Sequence, residues 1–167
     1  MVIWLTGLSG AGKSTIAMEL QKLINKKRQN SFLVDGDEVR KIWGDRLGYS
    51  IDERQKGAMR ISRLCKWLSE QGADVICATI SFFTEVRKWN RANIPGYFEV
   101  YIKASLETRV RRDRKSIYSK AFAGELQNVV GLDLILPEPE NPDLVINNND
   151  DATSIKSIAE KIIQKVE

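Results

Sequence analysis

One short segment, residues 7–14, limits what this chain can fold into more than any other feature. It reads GLSGAGKS and matches the pattern G-x-x-x-x-G-K-[ST]. An apolar run at residues 2–5 precedes it, and residues 15–26 follow with apolar side chains at the spacing of one helical face. Glycines in such a turn let successive backbone N–H groups point toward a phosphate at the positive end of the helix. The segment therefore predicts a phosphate-binding loop between a strand and a helix.

Apolar runs of strand length alternate with amphipathic segments along the chain. The predicted strands cover residues 2–5, 31–34, 75–80, 98–102 and 144–146. The predicted helices cover residues 15–26, 52–71 and 155–166. Because parallel neighbours need long crossovers, this alternation favours a mainly parallel five-stranded sheet with helices on both faces. Together with the phosphate-binding loop (P-loop), it predicts an α/β protein with the three-layer P-loop NTPase fold.

The length of the chain suits one domain. Its 167 residues support a core without disulfides or a structural metal and leave no room for a second full domain. We therefore assign residues 1–167 to a single domain. Residues 109–142 break the alternation, since their first part is highly basic and the rest contains glycines, prolines and little periodicity. A long irregular insertion in a compact domain is usually a functional loop, so we predict a lid there.

Composition excludes several kinds of chemistry. The absence of histidine removes the Ser-His-Asp triad and the commonest zinc ligand. Cys65 and Cys77 lie in apolar contexts, which favours buried, unpaired thiols in a reducing cytoplasm. The 26 basic and 22 acidic residues suit an anionic ligand but are too even for a nucleic-acid coat. The first apolar run is too short for a signal peptide or a membrane span, so we expect a cytoplasmic protein without membrane or nucleic-acid partners.

The P-loop assigns a nucleoside triphosphate as the first ligand, with Mg²⁺ as its companion ion. Lys13 is placed to neutralise the β- and γ-phosphates, and the Ser14 hydroxyl is placed to bind Mg²⁺. The other predicted nucleotide-binding residues belong to the loop and the start of the helix: Gly7, Leu8, Ser9, Gly10, Ala11, Gly12 and Thr15.

The P-loop alone does not decide between an ATPase, a GTPase and a kinase. The predicted strand at residues 75–80 ends without Asp or Glu, so the magnesium carboxylate of motor-type ATPases is missing there, and no N-K-x-D guanine motif occurs. Acids follow the second strand instead, at Asp35 and Asp37, on the same rim of a parallel sheet as the P-loop. We interpret this pair either as a polar turn with a helix cap or as a group that orients an acceptor hydroxyl.

Several further motifs resemble the adenylylsulfate kinase family. The P-loop and its threonine read GLSGAGKST, residues 35–40 read DGDEVR, residues 47–50 read LGYS and residues 98–101 read FEVY. Residues of the predicted lid fall in the order of the family's own lid: Arg112, Asp113, Lys115, Tyr118, Ala121, Gly124 and Glu125. The match covers almost the whole chain. The resemblance implies a kinase that moves the γ-phosphoryl group of ATP to the 3′-hydroxyl of a nucleotide activated at its 5′ end.

The same resemblance implies a role for each matching residue. Asp37 orients the acceptor hydroxyl or accepts its proton, with Lys13 and Lys115 as the other catalytic residues. Arg112 binds ATP from the lid. The implied acceptor-binding residues are Asp37, Arg40, Tyr49, Arg54, Ser81 and Lys115. The basic cluster at Arg109, Arg111, Arg112, Arg114 and Lys115 has an alternative interpretation as a solvated helix end or a nonspecific nucleic-acid patch. That alternative is stronger for Arg109 and Arg111, which have no match in the family, and whether these two are functional is left open.

Departures from the family concentrate around the acceptor. Its R-x-E-N-I-R-R becomes RQKGAMR at residues 54–60, so Gly57 replaces an acceptor-binding asparagine. Its S-P-Y-R becomes SFFT at residues 81–84, and its F-T-G-I-D becomes VVGLD at residues 129–133. Val129 thus replaces the phenylalanine that forms one wall of the base site, opposite Tyr49. Because a base–aromatic stack contributes about 1–3 kcal/mol, these changes bear on which nucleotide fits.

Three interpretations of function remain. The first is a relative whose acceptor is cytidine diphosphoramidate, as in a known relative of the family from bacterial capsule pathways. We favour this interpretation. The second is an adenylylsulfate kinase with altered contacts that still makes 3′-phosphoadenylyl sulfate. The third is an inactive nucleotide-binding regulatory module, which the retention of Lys13, Ser14, Asp37 and Lys115 argues against. A small-molecule nucleotide acceptor is therefore the expected partner, and a homodimer is left open.

Overall fold

A single parallel sheet forms the centre of the protein. The computed structural model describes residues 1–28, 30–44, 48–149 and 153–166. The strands are β1 (Val2–Thr6), β2 (Ser31–Asp35), β3 (Asp74–Thr79), β4 (Tyr97–Lys103) and β5 (Leu144–Asn147). They run parallel in the order β2-β3-β1-β4-β5, so the strand that leads into the P-loop lies in the middle. The predicted five-stranded parallel sheet is confirmed.

Helices cover both faces of this sheet. They are α1 (Lys13–Lys27), α2 (Gly36–Trp43), α3 (Ile51–Glu70), α4 (Thr84–Asn93), α5 (Leu106–Arg111), α6 (Ile117–Phe122) and α7 (Ile155–Val166). Side chains of β1 alternate between two cores. Ile3 and Leu5 join the core beneath α1 and α7, whereas Val2 and Trp4 join the core beneath α3. Burial on both faces explains why the strands read as continuous apolar runs.

Local capping explains where the helices next to the site begin. The Asp35 carboxylate accepts a hydrogen bond from the Asp37 N–H, and so caps α2. Ser50 and Glu53 form a capping box at the start of α3. The sequence analysis had not delimited the short helices α2 and α4. Cys65 and Cys77 are both buried and unpaired, as expected.

The insertion predicted as a lid is more regular than its sequence suggested. It contains the end of α5 and the whole of α6, and it is irregular between α6 and β5. A buried ion pair between Arg87 and Glu99 anchors its far end, because Arg87 also donates to the Glu140 carbonyl. Arg91 adds a second contact there, pairing with Glu99 and with Asp143 just before β5.

Within the described ranges, no helix has the length and apolar character needed to cross a membrane.

Candidate active site

Parallel topology brings the predicted site together at one edge of the sheet. β1 leads into the P-loop, β2 into Asp35 and Asp37, β3 into Ser81, and β4 into α5 and the lid. All of these segments leave the carboxyl ends of their strands, where ligands bind in open α/β sheets. The residues predicted from separate parts of the sequence therefore converge at the carboxyl edge of the sheet.

The P-loop backbone requires its glycines. Gly10 and Gly12 have φ values of 76° and 97°, in the left-handed region that favours glycine. A Cβ atom at Gly12 would lie 2.6 Å from Nδ2 of Asn148, and one at Gly7 would lie 2.4 Å from the Ile102 carbonyl oxygen. Asn148 is buried and donates from Nδ2 to the Ala11 carbonyl at 2.8 Å. The loop is thus held in shape by the segment that follows β5.

Lys13 lies within the loop that it is predicted to serve. Its amine donates to the Leu8 carbonyl at 2.9 Å, across the arch of the P-loop. Burial lowers the pKa of Lys13 from 10.5 to about 8, although the carboxylates of Asp37 and Asp35 act in the opposite direction. The remaining P-loop position, Thr15, is exposed in the first turn of α1.

The lowered pKa makes nucleotide binding depend on pH. Phosphates stabilise the protonated amine, so affinity for ATP should fall as the pH rises through about 8, where free Lys13 loses its proton. Calorimetry between pH 7 and 10 should show weaker binding at higher pH, with proton uptake on binding above about pH 8. A Lys13→Arg protein is the control, because its guanidinium stays charged across this range. A pH dependence that persists in that protein would assign the effect to another group.

Ser14 pairs with Asp35, an acid that the sequence analysis placed on the same rim of the sheet as the P-loop without connecting it to Ser14. Its hydroxyl donates to Oδ2 of Asp35 at 2.5 Å, while Oδ1 of the same carboxylate caps α2. The predicted capping role of Asp35 is confirmed, and its second oxygen lies beside the P-loop. The sequence signal for this contact was the position of Asp35 at the end of β2. That position predicts a contact with Ser14 only when β2 is known to lie two strands from β1. Within the described ranges, no cluster of three or more metal-ligating side chains occurs.

Asp37 meets the lid. Lys115 forms an ion pair with Oδ2 of Asp37, and both side chains are more than half exposed. These two residues are 78 positions apart in the sequence. The structure therefore places the predicted hydroxyl-orienting acid and the predicted lid cation together, directly beside the P-loop.

A second group surrounds Tyr49. The Arg40 and Arg54 guanidinium groups lie 4.8 and 5.2 Å from its ring centroid, and the ring itself is exposed. Arg54 also donates to the Tyr49 carbonyl at 2.9 Å and to the Asn128 carbonyl at 2.8 Å. Burial and the nearby Arg40 charge lower the pKa of Arg54. Leu47, quoted above with Tyr49, lies outside the described residues.

Arg54 links Tyr49 to residues 128–133, the segment in which Val129 replaces the family's phenylalanine. Asp133 accepts hydrogen bonds from the N–H groups of Asn128 and Val129, at 2.6 and 2.5 Å, and so closes a tight turn. Val129 is buried in that turn. The turn at residues 128–133 is therefore held by its own hydrogen bonds, and it has an aliphatic residue where the family has a ring.

Ser81 lies deeper than a surface binding residue. Its backbone N–H and carbonyl both bond the Thr6 hydroxyl, at 3.4 and 3.2 Å, and its own buried hydroxyl has no partner among the described residues. Beyond it, a cavity of about 170 Å³ is lined by Gln55, Phe82, Phe83, Thr84, Glu85, Leu136 and Pro137. Gln55 donates to the Glu85 carboxylate there, at 2.6 Å. This cavity occupies the region where the sequence departs from the family.

The arginines of the predicted lid differ in their surroundings. Arg112 donates to the Asn148 carbonyl at 2.8 Å, which brings it to the P-loop side of the lid. Arg109 is buried and donates to the Tyr118 hydroxyl at 2.6 Å. The interpretation of Arg109 as a solvated helix end is therefore wrong, because this face of α5 packs against the P-loop. Arg111 is exposed, as that interpretation expected.

This arrangement defines a P-loop kinase: a phosphate-binding loop and an acidic residue beside a basic lid, on a parallel sheet without a carboxylate at the end of β3. Residues 1–147 match the family model described as "Adenylylsulphate kinase". The chain therefore belongs to the adenylylsulfate kinase family. It is a nucleotide kinase of that type, a phosphotransferase that acts on a hydroxyl group.

Individual relatives support this assignment. The chain is 39% identical over 165 residues to the cytidine diphosphoramidate kinase of Campylobacter jejuni, covering 99% of this chain and 95% of that protein. It is 42% identical over 148 residues to the adenylyl-sulfate kinase of Pseudomonas aeruginosa, covering 87% and 76%. The Mycobacterium tuberculosis APS kinase CysC in complex with AMPPNP and APS aligns with a TM-score of 0.90 at 34% identity, covering 99% and 96%.

Proposed function

We propose that this enzyme transfers the γ-phosphoryl group of ATP to the 3′-hydroxyl of cytidine diphosphoramidate. The observation that carries the proposal is the contrast within one site. The donor half keeps the family's P-loop residues, whereas on the base side Arg54 connects Tyr49 to a turn in which buried Val129 replaces the family's phenylalanine. The high coverage of the Campylobacter jejuni relative supports the same acceptor.

The donor half would hold ATP through the P-loop. Backbone N–H groups of residues 7–15 and the Lys13 amine surround the position for phosphate, and Arg112 approaches from the lid. Ser14 and Asp35 together offer a hydroxyl and a carboxylate, which fits Mg²⁺ because this ion takes few protein ligands beside phosphates and water. When bound, Mg²⁺ would offset the negative charge of the phosphates. The remaining work falls to protein side chains.

The transfer step needs only orientation and charge stabilisation from this chain. The 3′-oxygen forms a bond to the γ-phosphorus, the bond to the β-phosphate oxygen breaks, and ADP leaves. Asp37 accepts a hydrogen bond from the hydroxyl and takes its proton as the new bond forms. Because such transition states are loose, its main contribution is positioning. Lys115, already beside Asp37, supplies positive charge to the group in transit.

The acceptor half would hold the nucleotide between the two arginines and the Tyr49 ring. Arg40 and Arg54 offer planar groups suited to phosphate oxygens. We further propose that residues 109–142 act as a lid that closes over both nucleotides. A cytoplasmic location remains a prediction, and the oligomeric state is left open.

Acceptor choice provides the direct test. We expect kcat/KM for cytidine diphosphoramidate to exceed that for adenylyl sulfate by at least about tenfold, the ratio that corresponds to losing about 1.4 kcal/mol of transition-state contacts. Both should be assayed side by side at saturating Mg-ATP. A Val129→Phe protein restores the family's aromatic residue and should narrow the ratio.

Each other outcome has a distinct meaning. A preference for adenylyl sulfate would restore the second interpretation, an adenylylsulfate kinase with altered contacts. If the protein binds ATP but phosphorylates neither acceptor, the 3′-kinase chemistry stands but cytidine diphosphoramidate is not the acceptor. Failure to bind ATP would contradict the proposed function.

A further inference from the structure

Arg109 is a buried cation in contact with three parts of the site. Only 6% of the residue is exposed. Its backbone packs on the P-loop so closely that a Cβ atom at Gly10 would lie 2.8 Å from its carbonyl oxygen. Its guanidinium lies 5.3 Å from the Tyr118 ring centroid in α6, and its Nη1 lies 3.3 Å from the Cβ position of Gly131 in the turn at residues 128–133. It therefore joins the donor loop, the lid and the acceptor side.

The charge of this residue lacks an anionic partner within the part of the chain that the structure describes. Nη1 donates to the neutral Tyr118 hydroxyl, and buried Nε has no hydrogen-bond partner there. A buried cation without a counter-charge is unfavourable, and Arg109 forms no ion pair with a carboxylate among the described residues. Arg109 also acts on Lys13, whose pKa it helps to lower as a like charge. Two cations thus lie near one phosphate-binding loop.

We infer that Arg109 is a positioning residue whose buried charge is balanced by the phosphates of ATP in the P-loop, so that nucleotide binding tightens the lid and the turn at residues 128–133. The inference rests on the proposed use of ATP as donor. The connection is continuous, because the Tyr118 hydroxyl that accepts from Arg109 donates in turn to the Ser9 carbonyl at 2.8 Å. A phosphate in the P-loop attracts the Arg109 guanidinium strongly, because the local dielectric is low. Since Arg109 contacts α6 and the turn at Gly131, this attraction draws both toward the P-loop.

The test compares Arg109→Met, which keeps length without charge, with Arg109→Lys, which keeps charge. Arg111→Met, an exposed change on the same helix, is the control. We expect Arg109→Met to weaken Mg-ATP binding at least about tenfold, with Arg109→Lys between it and the unaltered protein. Without nucleotide, the Tm of Arg109→Met should be unchanged or higher, because a buried unbalanced charge has been removed. Hydrogen exchange should show that ATP protects residues 117–133 in the unaltered protein much more than in Arg109→Met.

A purely structural arginine gives the opposite pattern. If Arg109→Met fails to fold, or has a lower Tm without nucleotide together with unchanged ATP affinity and lid protection, the inference is overturned. If Arg109→Lys behaves like Arg109→Met, charge is not the cause and the inference is also overturned. An unaltered protein that binds no Mg-ATP would instead contradict the proposed function itself.

Discussion

Replacing Lys13 with alanine should lower turnover by about a hundredfold to a thousandfold while leaving the fold unchanged. The amine donates to the Leu8 carbonyl within its own loop, so its loss removes little from the core. Its charge acts when phosphates are present, and the loss of one positioned donor to a transferring group has this order of effect. Steady-state turnover together with circular dichroism checks both parts. Lys22→Ala, on the same helix and paired with Glu19 at its exposed surface, should change neither. Normal turnover in a folded Lys13→Ala protein would contradict the kinase mechanism.

Replacing Asp37 with asparagine should separate chemistry from nucleotide binding. The change keeps size and hydrogen-bonding capacity but removes the charge that accepts the proton and pairs with Lys115. Positioned general acid–base groups contribute about 10²–10⁴-fold, so turnover should fall by at least about a hundredfold, whereas the Kd for Mg-ATP should stay within about threefold. Turnover and calorimetry on the same preparation measure the two effects.

A neighbouring acid supplies the control for Asp37. Glu38 lies one position further along α2 and pairs with Lys41 at the exposed surface, so Glu38→Gln should leave turnover unchanged. If Asp37→Asn retains turnover, Asp37 serves only as the first-turn residue that Asp35 caps.

The parts of the fold that sequence could predict are those set by local patterns. The glycines and lysine of the P-loop specify a strand, a turn and a helix in a fixed order, and the long apolar runs require strands covered on both faces. Helix α7 was predicted with its observed bounds, because its apolar positions repeat without interruption. The short helices α2 and α4 give too few turns for such a repeat. The start of α2 depends on the single capping contact from Asp35, and no side chain caps the start of α4.

The parts of the site that sequence could not predict depend on contacts between distant segments. The dual role of Asp35 follows from the position of β2 relative to α1, and the burial of Arg109 follows from the packing of α5 on Gly10. A run of arginines looks the same in sequence whether one of them faces the core or all face water. The family resemblance did not help at Arg109, because the family offers no matching residue there.

The contact between Asn148 and the P-loop has a consequence for how this enzyme is made. The loop occupies positions 7–14 and is synthesised before the other segments of the site. Its Ala11 carbonyl is nevertheless satisfied by Asn148, 137 positions later, and the Arg112 guanidinium is held by the carbonyl of the same residue. Asn148 itself reaches this place only once β5 has paired with β4. A nascent chain therefore lacks a finished cradle for phosphate until β5 and Asn148 have been synthesised, so ATP would stabilise the protein only after that point.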